Sequence, residues 1–244
     1  MGATGFIIRC IWLWQSGCHT RCWQLLASSG EYEGVQALEA GDVEQARTAV
    51  SMIVGRDTAS LTEEGIAKAA VETVAENTSD GVIAPLFYMF LFGPVGAWVY
   101  KAINTRTPCL DIRTTIPVFG TCAARVDDVV NFIPARLSAW LMVGAAGILG
   151  MDMAGAARIH LRDRRNHASP NSAQTESTCA GALGLQLAGN AYYFGKLYEK
   201  PTIGDAKRQI ESKDIRRANR LMYGTAVLML IMGVGVLIGC GCFT

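Results

Sequence analysis

Long uncharged stretches alternate with dense polar blocks along this chain, and the two kinds of segment predict different elements. Leu221–Thr244 runs 24 residues without a charge behind Arg216, Arg217 and Arg220. A helix of about 20 apolar residues crosses the hydrocarbon layer, so this stretch predicts a membrane span. Inside it, Gly235-x-x-x-Gly239 reads as a helix-packing surface. Leu137–Ala157, interrupted only by Asp152 and rich in Gly and Ala, predicts a second span. Gly81–Tyr100 has 20 uncharged residues but contains Pro85 and Gly93-Pro94-Val95-Gly96. That break predicts either a kinked span or two half-helices folded into a re-entrant hairpin. Residues 36–77 carry the pattern of water-facing helices instead. Asp42-x-x-Gln45 is a capping-box pattern, Val43, Ala46, Val50 and Ile53 keep helical spacing, and Gly55 is placed to end that helix. Thr62 is placed to cap the next one, with Glu63 and Glu64 in its first turn.

Composition sharpens this picture. Half the residues are hydrophobic and only 18% are charged, whereas soluble domains carry about a quarter. The expected fold is all-α: a polytopic membrane protein with helical extramembrane segments, one membrane-embedded domain over residues 1–244. Its parts are an atypical N-terminus (1–35), extramembrane helices (36–80), apolar membrane segments (81–100, 137–157 and 221–244) and a basic region (158–220). The net charge of +1 gives no basis for nucleic-acid binding. Charge is nevertheless segregated: residues 31–81 carry 11 acids against 3 Lys/Arg, and residues 158–220 carry 12 Lys/Arg against 6 acids. The positive-inside bias places the second region in the cytoplasm. A single crossing at 137–157 would then put the polar blocks on its two sides on opposite faces of the membrane. The eight cysteines are scattered and read as free thiols of a reducing compartment. Cys18-His19-x-x-Cys22 lacks the second half of a zinc site.

The polar blocks carry the candidate chemistry. Glu72, Glu76 and Asp80 recur every four residues, a row that suits Mg²⁺ and its bound phosphates or, equally, a solvated face with Lys68 pairing Glu72. Asp127, Asp128 and Asn131 cluster oxygen ligands between Arg125 and Arg136, which suits a metal–nucleotide complex or a carboxylate substrate. A pairing of Asp127 with Arg125 accounts for the same pattern. Arg56-Asp57 binds a ligand or ties down a loop. Arg162-Asp163-Arg164-Arg165 with Ser169-Pro170-Asn171 is a phosphate site or a juxtamembrane basic cluster. No Walker, Rossmann or nucleophile-elbow motif is present.

Gly55-Arg-Asp-Thr58, Glu72–Gly81 with Val-Ile-Ala-Pro85, Asn104-Thr105, Ala124–Leu137 and Arg162–Asn171, in that order, resemble the adenosylcobinamide-phosphate synthase (CobD/CbiB) family of cobalamin biosynthesis. Glu176, Ala180–Gly184 and Ile203-Gly-Asp205 fit as well, and the resemblance covers about Ala37 to Leu221. It implies a multi-pass enzyme of the cell (inner) membrane that joins aminopropanol, free or phosphorylated, to a propionate of adenosylcobyric acid as an amide. Such a condensation implies ATP and Mg²⁺, with an acyl phosphate or an adenylate as electrophile. On this resemblance Glu72, Glu76, Asp80, Asp127 and Asp128 are the candidates for metal binding or amine deprotonation, with Glu76, Asp80 and Asp128 as the metal set. Arg56, Arg125, Arg136, Arg162 and Arg165 would hold phosphate or corrin carboxylates. Asn77, Asn104, Asn131 and Asn171 would orient amides or hydroxyls, with Asp57 and Ser169 beside them. Other late cobalamin-assembly enzymes are the implied partners.

Two regions depart from the family. Its members generally begin with apolar sequence, whereas residues 10–23 hold three of the eight Cys and three of the five Trp. Residues 105–117 also lack the family pattern. Truncation or a shifted reading frame would explain both, and the chain is expected to be a truncated or impaired member. Two rival readings stay open: a non-catalytic remnant that binds corrinoid or partner enzymes, and a small-solute transporter suggested by charged blocks beside Pro/Gly-broken helices.

Overall fold

The computed structural model describes residues 36–109 and 117–240 apart from positions 39 and 194, with 105–109 and 117–123 described as backbone alone. The expectations for residues 1–35, including Cys18-His19-x-x-Cys22, lie outside the described residues, as do the side chains of 105–117. Helix α1 (Val43–Ser51) starts where Asp42 Oδ1 accepts the Gln45 N–H at 2.9 Å. It ends at Ser51, before Ile53 and Gly55, because its last turn already closes at Met52. Helix α2 (Glu63–Asn77) is capped by Thr62, whose hydroxyl accepts the Gly65 N–H at 3.2 Å. Its small residues Ala67, Ala69, Ala70 and Ala75 are buried with Ile66, Val71 and Val74, so other helices approach it from several sides.

A six-residue π-helical segment, Thr78–Ile83, links α2 to α3 (Ala84–Cys109). It carries Asp80, four residues beyond Glu76; such bulges are frequent at functional sites. Gly93 then breaks α3 with φ 69° and ψ −165°, a conformation that only glycine adopts without strain. The chain reverses there. Tyr88 and Tyr100 would stand about 18 Å apart along a straight helix, yet their rings stack with centroids 5.4 Å apart. Gly96 permits this return, since a Cβ there would sit 2.6 Å from the Tyr88 carbonyl oxygen. The 81–100 stretch is therefore a helical hairpin, two half-helices folded back on each other at the Pro-Gly break.

Helices α4 (Pro117–Val130) and α5 (Phe132–Ile148) run on through Asn131, which keeps helical backbone bonds from its N–H to Asp127 O and from the Ala135 N–H to its own carbonyl. At Gly150 (φ 71°) the chain turns into α6 (Met153–Asp163), capped by Asp152. Leu137–Ala157 is thus a helical hairpin and not one span. This corrects the expected topology and removes its conflict, because the blocks at 124–136 and 162–171 return to the same end of the molecule. Helix α7 (Ser172–Leu183) is buried along its whole length and meets α6 at Gly155 and Gly181; a Cβ on Gly181 would lie 2.4 Å from the Gly155 carbonyl. It ends at Gly184 in the left-handed region.

The all-α expectation fails locally between 186 and 204. Strand β1 (Gln186–Ala188) pairs antiparallel with β4 (Thr202–Gly204), Leu187 opposite Ile203, and β2 (Ala191–Tyr193) pairs with β3 (Lys196–Tyr198). Leu187 and Ile203 are fully buried, so this small sheet is pinned to the core beside α7. Helix α8 (Lys213–Gly239) then runs unbroken for 27 residues, about 40 Å.

Among the described residues three stretches are long and apolar enough to cross a membrane: Glu63–Asn104, Ala124–Ile148 and Lys213–Gly239. The first folds back at Gly93. Leu91, Phe92, Val95, Trp98 and Val99 at the tip of that hairpin are exposed, as are Tyr223, Val227, Ile231, Val236 and Ile238 on α8. So much contiguous apolar surface suits a lipid environment better than water.

Candidate functional site

The polar blocks converge at one end of the helices. A first knot fixes the floor. The Tyr100 hydroxyl lies 2.7 Å from Asn131 Oδ1 and 3.1 Å from the Asp80 carbonyl oxygen. Asn131 Nδ2 donates to Asp127 Oδ1 at 3.2 Å, and Asn104 Nδ2 donates to the same oxygen at 3.4 Å. The α3 hairpin is thereby fastened to the joint between α4 and α5. Asp127 is held by these two amides; it forms no pair with Arg125, which is exposed on α4.

Beside this knot lies a carboxylate pocket of about 220 Å³ between the 53–56 loop, α2, α7 and the end of β1. Glu72 is 6% exposed; one oxygen pairs with Arg56 and the other accepts the Ala188 N–H at 2.7 Å. Ala188 sits at φ 56°, rare for a residue with a Cβ. Glu72 therefore compensates for a strained backbone and is saturated in doing so; Lys68 is not its partner. Asp57 works similarly: its N–H donates to Tyr192 O at 2.9 Å and its Oδ2 accepts the Gly195 N–H at 2.8 Å, tying the loop to the β2–β3 hairpin. Glu76 is exposed at the mouth and accepts from Ser172 Oγ at 3.0 Å. Asn77 and Lys200 also line the pocket, and the Lys200 ammonium donates to the Tyr193 hydroxyl at 2.8 Å. Glu176, on α7, reaches it from the buried side. Burial, then the charges of Glu76 and Glu72, push its carboxyl well above the ordinary range.

A second pocket, about 500 Å³, opens next to the first and is lined by Phe132, Arg136, Arg164, Arg165, His167 and Gln174 among others. Asp128 braces its edge: its carbonyl accepts from Asn171 Nδ2 at 2.9 Å and its Oδ1 from Ser169 Oγ at 3.3 Å. Asn171 Oδ1 in turn accepts from Arg136 at 3.3 Å, and the Arg136 guanidinium lies 3.5 Å from the Phe132 ring centroid. His167 lines both pockets. Burial pushes its imidazole below the ordinary value, so it is neutral near pH 7. Its Nδ1 accepts the Ser169 N–H at 3.0 Å, which leaves Nε2–H as the donor.

With this geometry in view, the comparisons with known proteins are decisive. The family model described as CobD/Cbib protein matches residues 5–222. The chain belongs to the CobD/CbiB family. It is 48% identical over 207 residues to the cobalamin biosynthesis protein CobD of Clostridium perfringens, covering 84% of this chain and 65% of that one. It is 49% identical over 199 residues to CobD of Pelobacter propionicus (81% and 62%), and 49% identical over 197 residues to CbiB of Salmonella arizonae (80% and 61%). The chain thus spans a little under two thirds of the length of these relatives. No solved structure matches it. The match extends N-terminally beyond Ala37 and runs through 105–117, so the family's span in this chain is wider than its motifs alone mark out.

Most of the CobD/CbiB polar blocks meet here, but not all their members face a pocket. Arg56, Glu72, Glu76 and Asn77 line the carboxylate pocket, and Arg136 and Arg165 line the arginine pocket. Arg162 points elsewhere: it pairs with Asp163 at 2.7 Å and Asp205 at 2.8 Å, and Asp163 also accepts the Gly204 N–H, which ties α6 to β4. The reason is local. Helix α6 ends at Asp163, so Arg162 leaves from the helix while Arg164 and Arg165 leave from the turn beyond it. Among the described residues no three His, Cys, Asp or Glu side chains are grouped to hold a metal ion. Mg²⁺ commonly takes only one or two carboxylates and completes its shell with water and substrate phosphates. Hard-oxygen donors of the kind such an ion takes stand at this rim in Glu76 and Asp128.

Arg164, His167, Gln174 and Glu176 complete the site; Arg164 and His167 lie inside the 162–171 block and Glu176 among the positions that fit the family, but none of the four stands out individually in the sequence. Glu176 sits amid small residues with no charged neighbour to draw attention to it. It gives a clean test. Its folded-state pKa is raised, so the folded state loses stability as pH rises from the ordinary carboxyl value through the raised one. Glu176→Gln mimics the protonated form and is expected to raise Tm at pH 8 on the order of 2–4 °C, about 1 kcal/mol for a chain of this size. The gain should shrink toward pH 5. Thermal melts of the detergent-purified chain across that range check it, and a lower Tm at pH 8 would contradict the assignment.

Proposed function

We propose that this chain acts in cobalamin biosynthesis, as a multi-pass protein of the cell (inner) membrane. Its reaction is the joining of an aminopropanol unit to a propionate carboxylate of adenosylcobyric acid as an amide. The observation that carries the reading is convergence: polar blocks shared with a cobalamin-biosynthesis family, scattered over more than a hundred residues, meet at one rim beside apolar helical surface.

Amide formation makes a C–N bond, breaks a carboxyl C–O bond and removes a proton from the amine. Mg-ATP, when bound, would supply the activation that turns the carboxyl oxygen into a leaving group. Asp80 and Asp128 are the oxygen donors that would hold Mg²⁺. The chain's own work is to bind, orient and deprotonate. Glu76 is the carboxylate at the pocket mouth with an oxygen open to solvent, whereas Glu72 and Asp127 are committed to fixed partners. Glu76 therefore takes the amine proton. The Glu176 carboxyl, in its protonated form, and the His167 Nε2–H are donors available to an oxygen or nitrogen of the substrate. Asn131 and Tyr100 keep the floor rigid.

Membranes expressing the chain, given adenosylcobyric acid, Mg-ATP and aminopropanol or its phosphate, should yield the amide by mass spectrometry, absent from empty-vector membranes. No product from an inserted, stable chain would overturn the reading.

A further inference from the structure

The α3 hairpin carries a groove that the chemistry at the rim leaves unused. It has a volume of about 320 Å³ and lies between the two arms of the hairpin and Val130 of α4. On the returning arm Val95, Val99 and Ile103 recur every four residues, so one wall runs lengthwise for about 12 Å. The outgoing arm supplies Phe92 and Tyr88, and the Tyr88 ring stacks on Phe92 at 6.3 Å and on Tyr100 at 5.4 Å between centroids. The hydroxyls on this wall are committed elsewhere. Tyr88 donates to the Val130 carbonyl at 2.9 Å, and Tyr100 bonds to Asn131 Oδ1 at 2.7 Å and to the Asp80 carbonyl at 3.1 Å. Sites for substrates and cofactors carry a few convergent polar groups that fix orientation. Among the described residues this groove presents only aliphatic and aromatic side chains, which suits plain hydrocarbon. It is also continuous with the surface that suits lipid. Phe92, Val95 and Val99 line it and are each more than half exposed, beside Leu91 and Trp98 at the hairpin tip. Water in such a trough leaves all of this apolar surface hydrated, at a cost that scales with its area.

We propose that this groove binds one phospholipid acyl chain from the surrounding bilayer, held between the arms of the hairpin as a structural lipid. Its dimensions select a chain over a second protein. The trough is closed at its floor by the stacked Tyr88 and Tyr100 rings, and 320 Å³ has no room for a helix about 10 Å across. The bound chain acts on the rim through one residue. The Tyr100 ring forms part of the groove, and its hydroxyl holds Asn131 and the Asp80 carbonyl in the knot. Filling the groove therefore fixes the ring on which that knot depends. The acyl site stands whether or not the amide reaction does.

The test uses the full chain purified in a steroid-based detergent, whose rigid ring system cannot thread the groove. Phosphatidylcholine carrying a diazirine midway along one acyl chain is added, loosely held lipid is removed by detergent exchange, and the irradiated protein is mapped by peptide mass spectrometry. Label on Tyr88, Val99 and Ile103 should exceed that on Ile231, an exposed apolar position of α8, by about tenfold, the preference that marks a bound chain against general contact. Unlabelled phosphatidylcholine should raise the Tm of the lipid-free chain by roughly 3–6 °C, the gain from a ligand at about ten times its Kd. Val99→Trp fills the groove with its own side chain, and should lower the label on Tyr88 by about tenfold and abolish the Tm gain. If that variant misfolds, Val95→Trp at the exposed mouth is held to the same outcome. A groove covered by a second copy, or by another segment of this chain, excludes the probe, so label at or below that on Ile231 overturns the proposal. So does a parent chain with no Tm gain, or a folded filled variant in which label and Tm gain persist.

Discussion

Glu76→Gln is expected to lower amide formation on the order of 10²–10⁴-fold while leaving the protein folded, the range typical of a lost general base. The substitution keeps the side chain's size and its ability to accept from Ser172 Oγ, and removes only the charge. Because Glu76 is exposed and not in an ion pair, the stability cost should stay within the small range of surface substitutions, about 0.5 kcal/mol. Glu72→Gln sets the contrast. Glu72 is buried against Arg56 and the Ala188 N–H, so its loss should show first in Tm and only secondarily in rate. The pH–rate profile separates a base from a mere charge: the acidic limb should be present in the parent chain and absent from Glu76→Gln. Turnover within about threefold of the parent would remove Glu76 from the base role, since that is less than 1 kcal/mol of barrier.

Much of this arrangement was legible in the sequence, and the parts that were not share one physical cause. Local signals read correctly where a side chain acts on its own backbone: Asp42 and Thr62 cap the helices they precede, and Gly93 marks the reversal of the apolar hairpin. The motif order located the polar blocks, and these do meet. What sequence spacing missed were contacts between residues far apart in the chain. Glu72 pairs across 16 residues with Arg56 and bonds across 116 to Ala188, so an apparent metal row is partly a structural clamp. Arg162 and Arg165 look equivalent in a basic run, but the end of α6 sends them to different places. The span at 137–157 failed for a related reason. Apolar length measures how far a helix could reach, and a single glycine at 150 with Asp152 capping a new helix turns that length into a hairpin. The four short strands carry too little pattern, three residues each, to announce themselves, and the β1–β4 pair draws on burial beside α7.

Asp214→Ala is expected to destabilise the chain by roughly 3–5 kcal/mol, the largest effect on stability among the residues discussed. Asp214 is fully buried at the start of α8 and receives four bonds: two from Arg208 at 2.7 and 2.5 Å, one from Arg217 at 2.7 Å, and the Glu211 N–H at 2.9 Å. Arg208 also donates to the Leu183 carbonyl at 3.1 Å, so the carboxylate joins α8 to the end of α7. Removing it takes the shared acceptor from two partly exposed guanidiniums and leaves the Glu211 N–H without its partner, so the cost combines lost charge-assisted bonds with a cavity at a fully buried position. The surface pair Arg47–Glu44 makes the comparison, because a pair with one partner so exposed contributes no more than about 1 kcal/mol. For a chain of this size the loss at Asp214 corresponds to a Tm lower by roughly 10 °C, a large share of a typical total stability. Arg208→Ala should cost less than Asp214→Ala, since Arg217 and the Glu211 N–H still compensate the carboxylate. Thermal melts of detergent-purified variants measure both. A change in Tm of under about 3 °C for Asp214→Ala, near 1 kcal/mol, would mean that water replaces the arginines at this joint. In that case α8 is held to α7 by its apolar face alone. The expected result instead makes this carboxylate the anchor of the long apolar helix against the helix that carries Glu176 into the site.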